Sequence, residues 1–178
     1  MATKTLMTVE QFAALETLDT EDYELLEGEL IPLSSGTLRH TNIRDLIAYL
    51  LRVYFLRNPI GKAFAELDCR LAAGTVRRPD VAVFGNDNLS LIDPDRIPVP
   101  FAPDIAVEVL SPNERAMDVR RKIRNYLDAG SKEVWVIDHA NAEAAVHTLD
   151  GVRYLRGSEL LSSPVLPGFE VEISTLFA

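Results

Sequence analysis

The chain has 178 residues, of which 47% are hydrophobic and 25% are charged, and its formal net charge is -9 at pH 7. This length and composition are typical of a globular protein, and we expect one domain over residues 1–178. No apolar run approaches the roughly 18 residues that span a bilayer, and no signal-peptide pattern is present, so we expect a cytoplasmic protein with no membrane partner. The single cysteine, Cys69, excludes an internal disulfide and a cysteine-rich zinc site.

The negative net charge argues against a protein that coats nucleic acid through bulk electrostatics, since phosphate binding depends on clustered Lys and Arg. Cations are nevertheless concentrated in two short segments. One lies around residues 39–57, and the other contains Lys122 with four arginines: Arg115, Arg120, Arg121 and Arg124. Local basic patches on an acidic body therefore remain compatible with DNA binding.

The first part of the chain predicts two helices separated by a strand hairpin. Thr8 and Gln11 match a capping box before a short helix, and residues 23–33 predict strand, turn and strand. Apolar residues at three- and four-residue spacing predict a long helix over 38–56. Residues 62–72 alternate between polar and apolar side chains, which predicts one half-exposed strand.

The rest of the chain alternates between strands and one helix. Strands are predicted at 80–84 and 104–109, joined by a loop long enough to suggest function. Ser111 and Glu114 match a capping box, which predicts a helix over 112–129. Further strands are predicted at 132–138, at 143–149, after the Asp150-Gly151 turn and in the tail. This order predicts an α/β fold with a mixed central β-sheet flanked by helices.

Two of these strands carry an acid where a buried strand ordinarily carries none. The segment RRPDVAVF contains Asp80, and PDIAVEVLSP contains Glu108. Burying a lone carboxylate is costly unless the acid is paired or binds a metal. The two acids can meet if their strands are neighbours in a suitable register. A hard ion such as Mg²⁺ takes carboxylate oxygens, waters and substrate phosphates as ligands, which favours metal-assisted phosphodiester hydrolysis.

The helix after the second acid contains a lysine next to its apolar stripe. Lys122 lies at the edge of the stripe, so its stem can follow the core while its ammonium projects toward the sheet. There it could position the attacking water or stabilise charge on a scissile phosphate. The arginines of the same segment suit contacts with backbone phosphates.

The motifs resemble those of a known nuclease group. RRPD, then VEVLSP, then a helix bearing a lysine resemble the PD-(D/E)XK nuclease superfamily. The order YELLEGEL, Arg39-His40, RRPD, VEVLSP, DVRRKIRNYLDAG, EVWVID and LPGFE more closely resembles the Uma-two (Uma2) family of restriction-endonuclease-like bacterial proteins, over nearly the whole chain. The resemblance implies a restriction-endonuclease-like core, Mg²⁺ or Mn²⁺ as the cofactor, and DNA as the substrate.

The resemblance also implies roles for individual residues. Asp80 matches the metal-binding Asp, and Glu108 matches the acid of the second motif. Two positions after Glu108, where the superfamily has Lys, this chain has Leu110. In the Uma2 family the lysine is moved to the following helix, and Lys122 is the matching position.

Two further residues are accessory candidates, and each assignment has a simpler structural alternative. Glu27 in YELLEGEL and His40 at the start of the long helix are accessory candidates for holding the metal or positioning water. Without the resemblance, Asp80 and Glu108 would each form a salt bridge with a basic residue instead of binding a metal, and Lys122 would be a surface lysine. Glu27 would then be a turn acid, and His40 would cap or pack the helix. The arginines of the basic helix would then only form its solvent-exposed face.

The sequence therefore predicts a metal-dependent DNA endonuclease, which we expect to be a homodimer because cutting two strands needs two sites related by a two-fold axis. The alternative is a catalytically inactive nuclease-fold module that binds nucleic acid or protein, which Leu110 and the net acidity favour. A third hypothesis is a metal-dependent hydrolase of another phosphoester. Target sequence and the choice between DNA and RNA are not encoded in any recognisable motif.

Overall fold

The computed structural model describes residues 6–15, 23–33, 36–112 and 114–178. Its helices are α1 (Val9–Ala13), α2 (Leu38–Arg57), α3 (Asn86–Leu89), α4 (Ala116–Asp128) and a closing 3-10 helix (Ile173–Phe177). Its strands are β1 (Tyr23–Leu26), β2 (Glu29–Pro32), β3 (Gly61–Ala65), β4 (Cys69–Ala72), β5 (Thr75–Arg77), β6 (Val81–Gly85), β7 (Ile105–Val109), β8 (Glu133–Asp138), β9 (Glu143–His147), β10 (Val152–Arg156), β11 (Leu160–Ser163) and β12 (Leu166–Glu172).

The central sheet has six strands in the order β10-β9-β8-β7-β6-β3. Strands β7 and β8 run parallel, and the other neighbouring strands run antiparallel. A four-stranded sheet, β2-β1-β5-β4, and the β11-β12 pair accompany it. The predicted fold class, a mixed central sheet flanked by helices, is therefore confirmed. No described helix is long and apolar enough to cross a membrane.

The register between β6 and β7 decides where the two acids of the sequence motifs lie. Val81 pairs with Val107, and Ala82 pairs with Ala106. Because these strands are antiparallel, the start of β6, which Asp80 precedes, lies beside the end of β7. The two strands are therefore neighbours, with Asp80 and Glu108 at the same end of the pair.

The two faces of the central sheet bury different helices. On one face, Val107 of β7 belongs to the same buried cluster as Ile47 and Leu51 of α2. On the other face, Ala106 clusters with Tyr126 of α4. This alternation agrees with the period of two expected for a strand that is buried on both sides.

The prediction of one strand over 62–72 was wrong. The segment forms β3 in the central sheet and β4 in the four-stranded sheet. Between them, Glu66 adopts a left-handed backbone with φ 52°, and the chain changes sheets there. Alternation of side chains continues through the break, so the local pattern carries no sign that the two halves pair with different strands. The following strand, β5, was also not predicted.

The predicted capping box of the helix at 112–129 was also wrong. Helix α4 begins at Ala116 with Arg115 as its N-cap, and no side chain of a described residue caps it. The Glu114 carboxylate instead lies 3.0 Å from the Nζ atom of Lys122. The Glu114 carboxylate therefore pairs with a side chain of the helix instead of with the backbone at its start. The predicted end is confirmed, since Gly130 follows the helix with φ 104°.

The only cysteine is fully buried, which predicts an unreactive thiol. Cys69 has no exposed surface, and its Sγ donates to the carbonyl oxygen of Leu67 at 3.3 Å. Burial raises the pKa of this thiol well above its usual value, and the thiolate is the reactive species. We expect Ellman's reagent to modify the native protein at least about 100-fold more slowly than the urea-unfolded chain. Equal rates in the two states would contradict this packing.

Candidate active site

A cleft of about 1000 Å³ lies on the described part of the chain, between the two larger sheets and the helices α2 and α4. Its lining includes the two motif acids, Asp80 and Glu108, and also His40 and Lys122. The start of β6, the end of β7, the first turn of α2 and the middle of α4 supply these side chains. Four residues that are distant in sequence thus meet in one concave site.

Asp80 is anchored by one of its carboxylate oxygens. Its Oδ2 accepts a hydrogen bond from the backbone N–H of Val109 at 2.7 Å and lies 3.2 Å from Nε2 of His40. No described residue donates a hydrogen bond to Oδ1. The hydrogen bond to Asp80 raises the pKa of His40, although burial of the imidazole opposes this effect. One oxygen therefore makes the contacts that hold the side chain in place.

Glu108 is buried in an environment that disfavours its charge. Its Oε1 accepts a hydrogen bond from the Tyr126 hydroxyl at 2.7 Å, and its Oε2 lies 3.1 Å from Nζ of Lys122. Burial raises the pKa of Glu108 to about 7, with Lys122 opposing the rise and the nearby charges of Asp80 and Glu24 adding to it. The two motif acids therefore lie close enough to interact electrostatically.

Lys122 stays charged although it is largely buried. Its Nζ lies 3.1 Å from Oε2 of Glu108 and 3.0 Å from Oε1 of Glu114. Burial alone would lower the pKa of Lys122, but the carboxylates of Glu108, Glu24 and Glu114 raise it overall. The cleft therefore contains one fixed ammonium group among several carboxylates.

The structure does not bring every predicted site residue together. Glu27 is an exposed residue in the turn between β1 and β2, with φ 51°, and it does not line the cleft. The acid of this hairpin that does line the cleft is Glu24, which is buried, with 2% of its surface exposed.

The four predicted phosphate-binding arginines divide into two pairs. Arg115 and Arg121 line the cleft, and Arg121 forms an ion pair with Asp118 at 2.8 Å. Arg120 and Arg124 are exposed on α4 and do not line the cleft. Contacts between the latter pair and a substrate would therefore require that the substrate extend beyond the cleft.

Sequence reasoning missed a buried network beneath the site. Glu24 accepts hydrogen bonds from Nη1 of Arg77 at 2.6 Å and from the backbone N–H of Arg78 at 2.9 Å. Arg77 also donates to Oδ1 of Asn125 on α4, at 3.2 Å from Nε and 2.9 Å from Nη2. Arg77 thus links the hairpin to the helix that carries Lys122. An acid inside the apolar run YELL was a usable signal, because the same anomaly identified Asp80 and Glu108.

The carboxylates suit a hard divalent cation. Within the described ranges, no group of three or more His, Cys, Asp or Glu side chains is arranged as a metal site. Mg²⁺ does not require such a group, since one or two carboxylates, waters and substrate phosphates complete its shell. Asp80 and Glu108 both line the cleft, and the only thiol, that of Cys69, is buried outside the cleft lining. The donor set therefore fits Mg²⁺ or Mn²⁺ better than a soft metal.

A mixed sheet flanked by helices, with paired acids at the ends of neighbouring strands, defines a protein of the restriction-endonuclease-like fold class. The structure is similar to the crystal structure of "a putative nuclease belonging to DUF820" from Anabaena variabilis ATCC 29413, with a TM-score of 0.83 and 23% sequence identity over 96% of this chain and 97% of that chain. The sequence profile of the Uma2 family, described as "Putative restriction endonuclease", matches residues 9–175. The chain belongs to the Uma2 family. No curated protein matches it.

Proposed function

We propose that the protein is a metal-dependent endonuclease that hydrolyses phosphodiester bonds of DNA, with Mg²⁺ or Mn²⁺ held by Asp80 and Glu108. The proposal rests on one observation: these acids meet in one cleft, with Nζ of Lys122 3.1 Å from Oε2 of Glu108. Membership of the Uma2 family and the nuclease-like fold support the reaction class.

The side chains of the cleft have separate tasks in this proposal. A bound divalent ion would supply Lewis acidity at the phosphate and lower the pKa of a water ligand. His40 and the Val109 N–H orient Asp80, and Tyr126 orients Glu108. Lys122 places a fixed positive charge where charge develops on the scissile phosphate.

Lys122 takes the role that the superfamily pattern gives to a lysine on the second strand. Leu110, at that position, is partly buried and packs in the cluster around Tyr126. It therefore contributes to the contact between β7 and α4. The ammonium of Lys122 reaches Glu108 from the helix instead, so the exchange of Lys for Leu does not by itself argue for loss of activity.

The oligomeric state, the number of domains and the location of the protein are further predictions. Cutting both strands of a duplex would need two sites related by a two-fold axis, so we propose a homodimer for that reaction. The molar mass in solution, measured by light scattering, tests it. A single domain and a cytoplasmic location stay predictions from the sequence.

Incubation of the purified protein with plasmid and oligonucleotide DNA tests the activity. We expect cleavage of at least one of these DNA substrates in Mg²⁺ or Mn²⁺ and none of either in EDTA. DNA binding without cleavage in any of these metals would instead favour the catalytically inactive nuclease-fold module.

Mg²⁺ affinity is expected to fall on acidification below about pH 7. The pKa of Glu108 is raised to about 7, so its carboxyl is protonated below that pH and ionised above it. Since protons and cations compete for the same oxygens, the affinity should fall by up to about tenfold per pH unit below pH 7 and level off above it. Calorimetry in buffers of different ionisation enthalpy measures both the affinity and the released proton.

A matched variant identifies the group responsible. In Glu108→Gln, the remaining Mg²⁺ binding should be weak and should depend less steeply on pH, because only the protonation of His40, which contacts Asp80, still changes the charge of the site in this range. Wild-type affinity that is constant between about pH 5.5 and 8 would contradict a role for this carboxyl as a ligand.

A further inference from the structure

We propose, resting on the nuclease function above, that the cleft takes single-stranded DNA and excludes an intact duplex. The substrate class follows from three properties of the cleft: the depth of the two acids, the pairing of its cations, and an apolar wall.

The two acids lie deep in the cleft. The side chains of Asp80 and Glu108 are only 13% and 7% exposed. A phosphodiester that reaches them must enter the cleft together with its flanking nucleotides. The volume of about 1000 Å³ is at the upper end of small-molecule pockets, so it suits a few linked nucleotides. Drawing nucleotides out of a duplex costs pairing and stacking energy, which a single strand does not have to pay when it enters the cleft.

Most cations in the cleft are already neutralised by acids. The partners of the cleft cations are Glu66 for Arg44, Glu24 for Arg77, Asp68 for Arg78, Asp118 for Arg121, and Glu108 with Glu114 for Lys122. Among the described lining residues, Arg115 is the one Lys or Arg for which no ion pair is found. Duplex DNA carries one negative charge per about 1.7 Å of its axis, and proteins bind it largely by neutralising these phosphates with Lys and Arg. A cleft with so few available cations is poorly matched to it.

One wall of the cleft is apolar. Ile31, Pro32 and Leu33, at the end of β2, line it together with Ile97. Ile97 is 54% exposed, so its side chain is available for contact with a ligand in the cleft. The faces of unpaired bases can pack on apolar side chains, whereas the faces of paired bases are stacked inside the duplex. The apolar wall therefore complements unpaired bases, and Arg115 can contact the attached phosphate.

Equilibrium binding in EDTA tests the substrate class without any cleavage. The probes are a labelled oligonucleotide of about 12 nucleotides, within the site sizes of single-strand binding clefts, and its fully matched duplex. Fluorescence anisotropy should show at least about tenfold tighter binding of the single strand. Ile97→Ser should weaken single-strand binding about fivefold or more.

Leu91→Ser is the matched control. Leu91 lies in the same segment between β6 and β7, is 67% exposed and does not line the cleft, so its substitution should leave the affinity unchanged.

The inference would be overturned by equal affinity for both probes, tighter binding of the duplex, binding of neither probe, or equal effects of the two substitutions. Metal-dependent cleavage of duplex DNA would still uphold the nuclease proposal. A single-strand preference without cleavage in Mg²⁺ or Mn²⁺ would uphold the inference and contradict the proposed activity. One site suffices for a single strand, so the inference holds for a monomer or a dimer.

Discussion

Asp80→Asn and Glu108→Gln are each expected to lower metal-dependent DNA cleavage by at least about 10³-fold. Each substitution keeps the size of the side chain and removes a charged oxygen ligand. Metal stabilisation of the transition state amounts to several kcal/mol, and every 1.36 kcal/mol corresponds to a factor of ten in rate. Initial rates of cleavage at saturating Mg²⁺ measure the effect.

Exposed acids supply the controls for this experiment. Asp87 on α3 and Glu170 on β12 are both exposed and lie outside the cleft lining, so Asp87→Asn and Glu170→Gln should retain activity within about twofold. Cleavage that survives in both motif variants would mean that the activity belongs to another site or to a contaminating nuclease. Circular dichroism of all four variants excludes loss of fold as the cause.

Arg77→Met is expected to reduce the free energy of unfolding by about 3–5 kcal/mol. The substitution keeps an apolar stem but leaves the Glu24 carboxylate, which is 2% exposed, without its arginine. It also removes both side-chain hydrogen bonds to Asn125 on α4. An uncompensated buried charge is strongly destabilising, and natural domains have only about 5–15 kcal/mol in total. Urea unfolding at neutral pH measures the loss.

An exposed ion pair of the same kind provides the comparison. Arg70, on the neighbouring strand β4, pairs with Glu10 at 3.3 Å, and the two side chains are 39% and 72% exposed. Water screens this pair, so Arg70→Met should cost far less stability than Arg77→Met. Replacing both buried partners, in Glu24→Leu with Arg77→Met, should recover part of the stability, since no lone charge is left buried. Equal losses in Arg70→Met and Arg77→Met would contradict the proposed importance of the buried pair.

Much of the candidate site was predictable because buried acids are rare. Asp80 and Glu108 were anomalous in apolar strands, and the structure places both in one cleft with Lys122. The same signal was present at Glu24, but the run of acids in YELLEGEL obscured which one points inward. Glu27 was named instead, and it lies in the exposed turn.

Local patterns were sufficient for helix α2, the hairpins and the alternating faces of β7, because side-chain periodicity depends only on neighbouring residues. Local patterns did not predict the features that depend on contacts between residues distant in the chain. The break at Glu66 sends β3 and β4 to different sheets, and Glu114 contacts Lys122 instead of capping α4. Likewise, the pairing of Arg77 with Glu24 and Asn125 joins three elements that are far apart in the chain. Such contacts are decided by sheet order and helix packing, since the free energy of a buried charge depends on which group tertiary folding brings beside it.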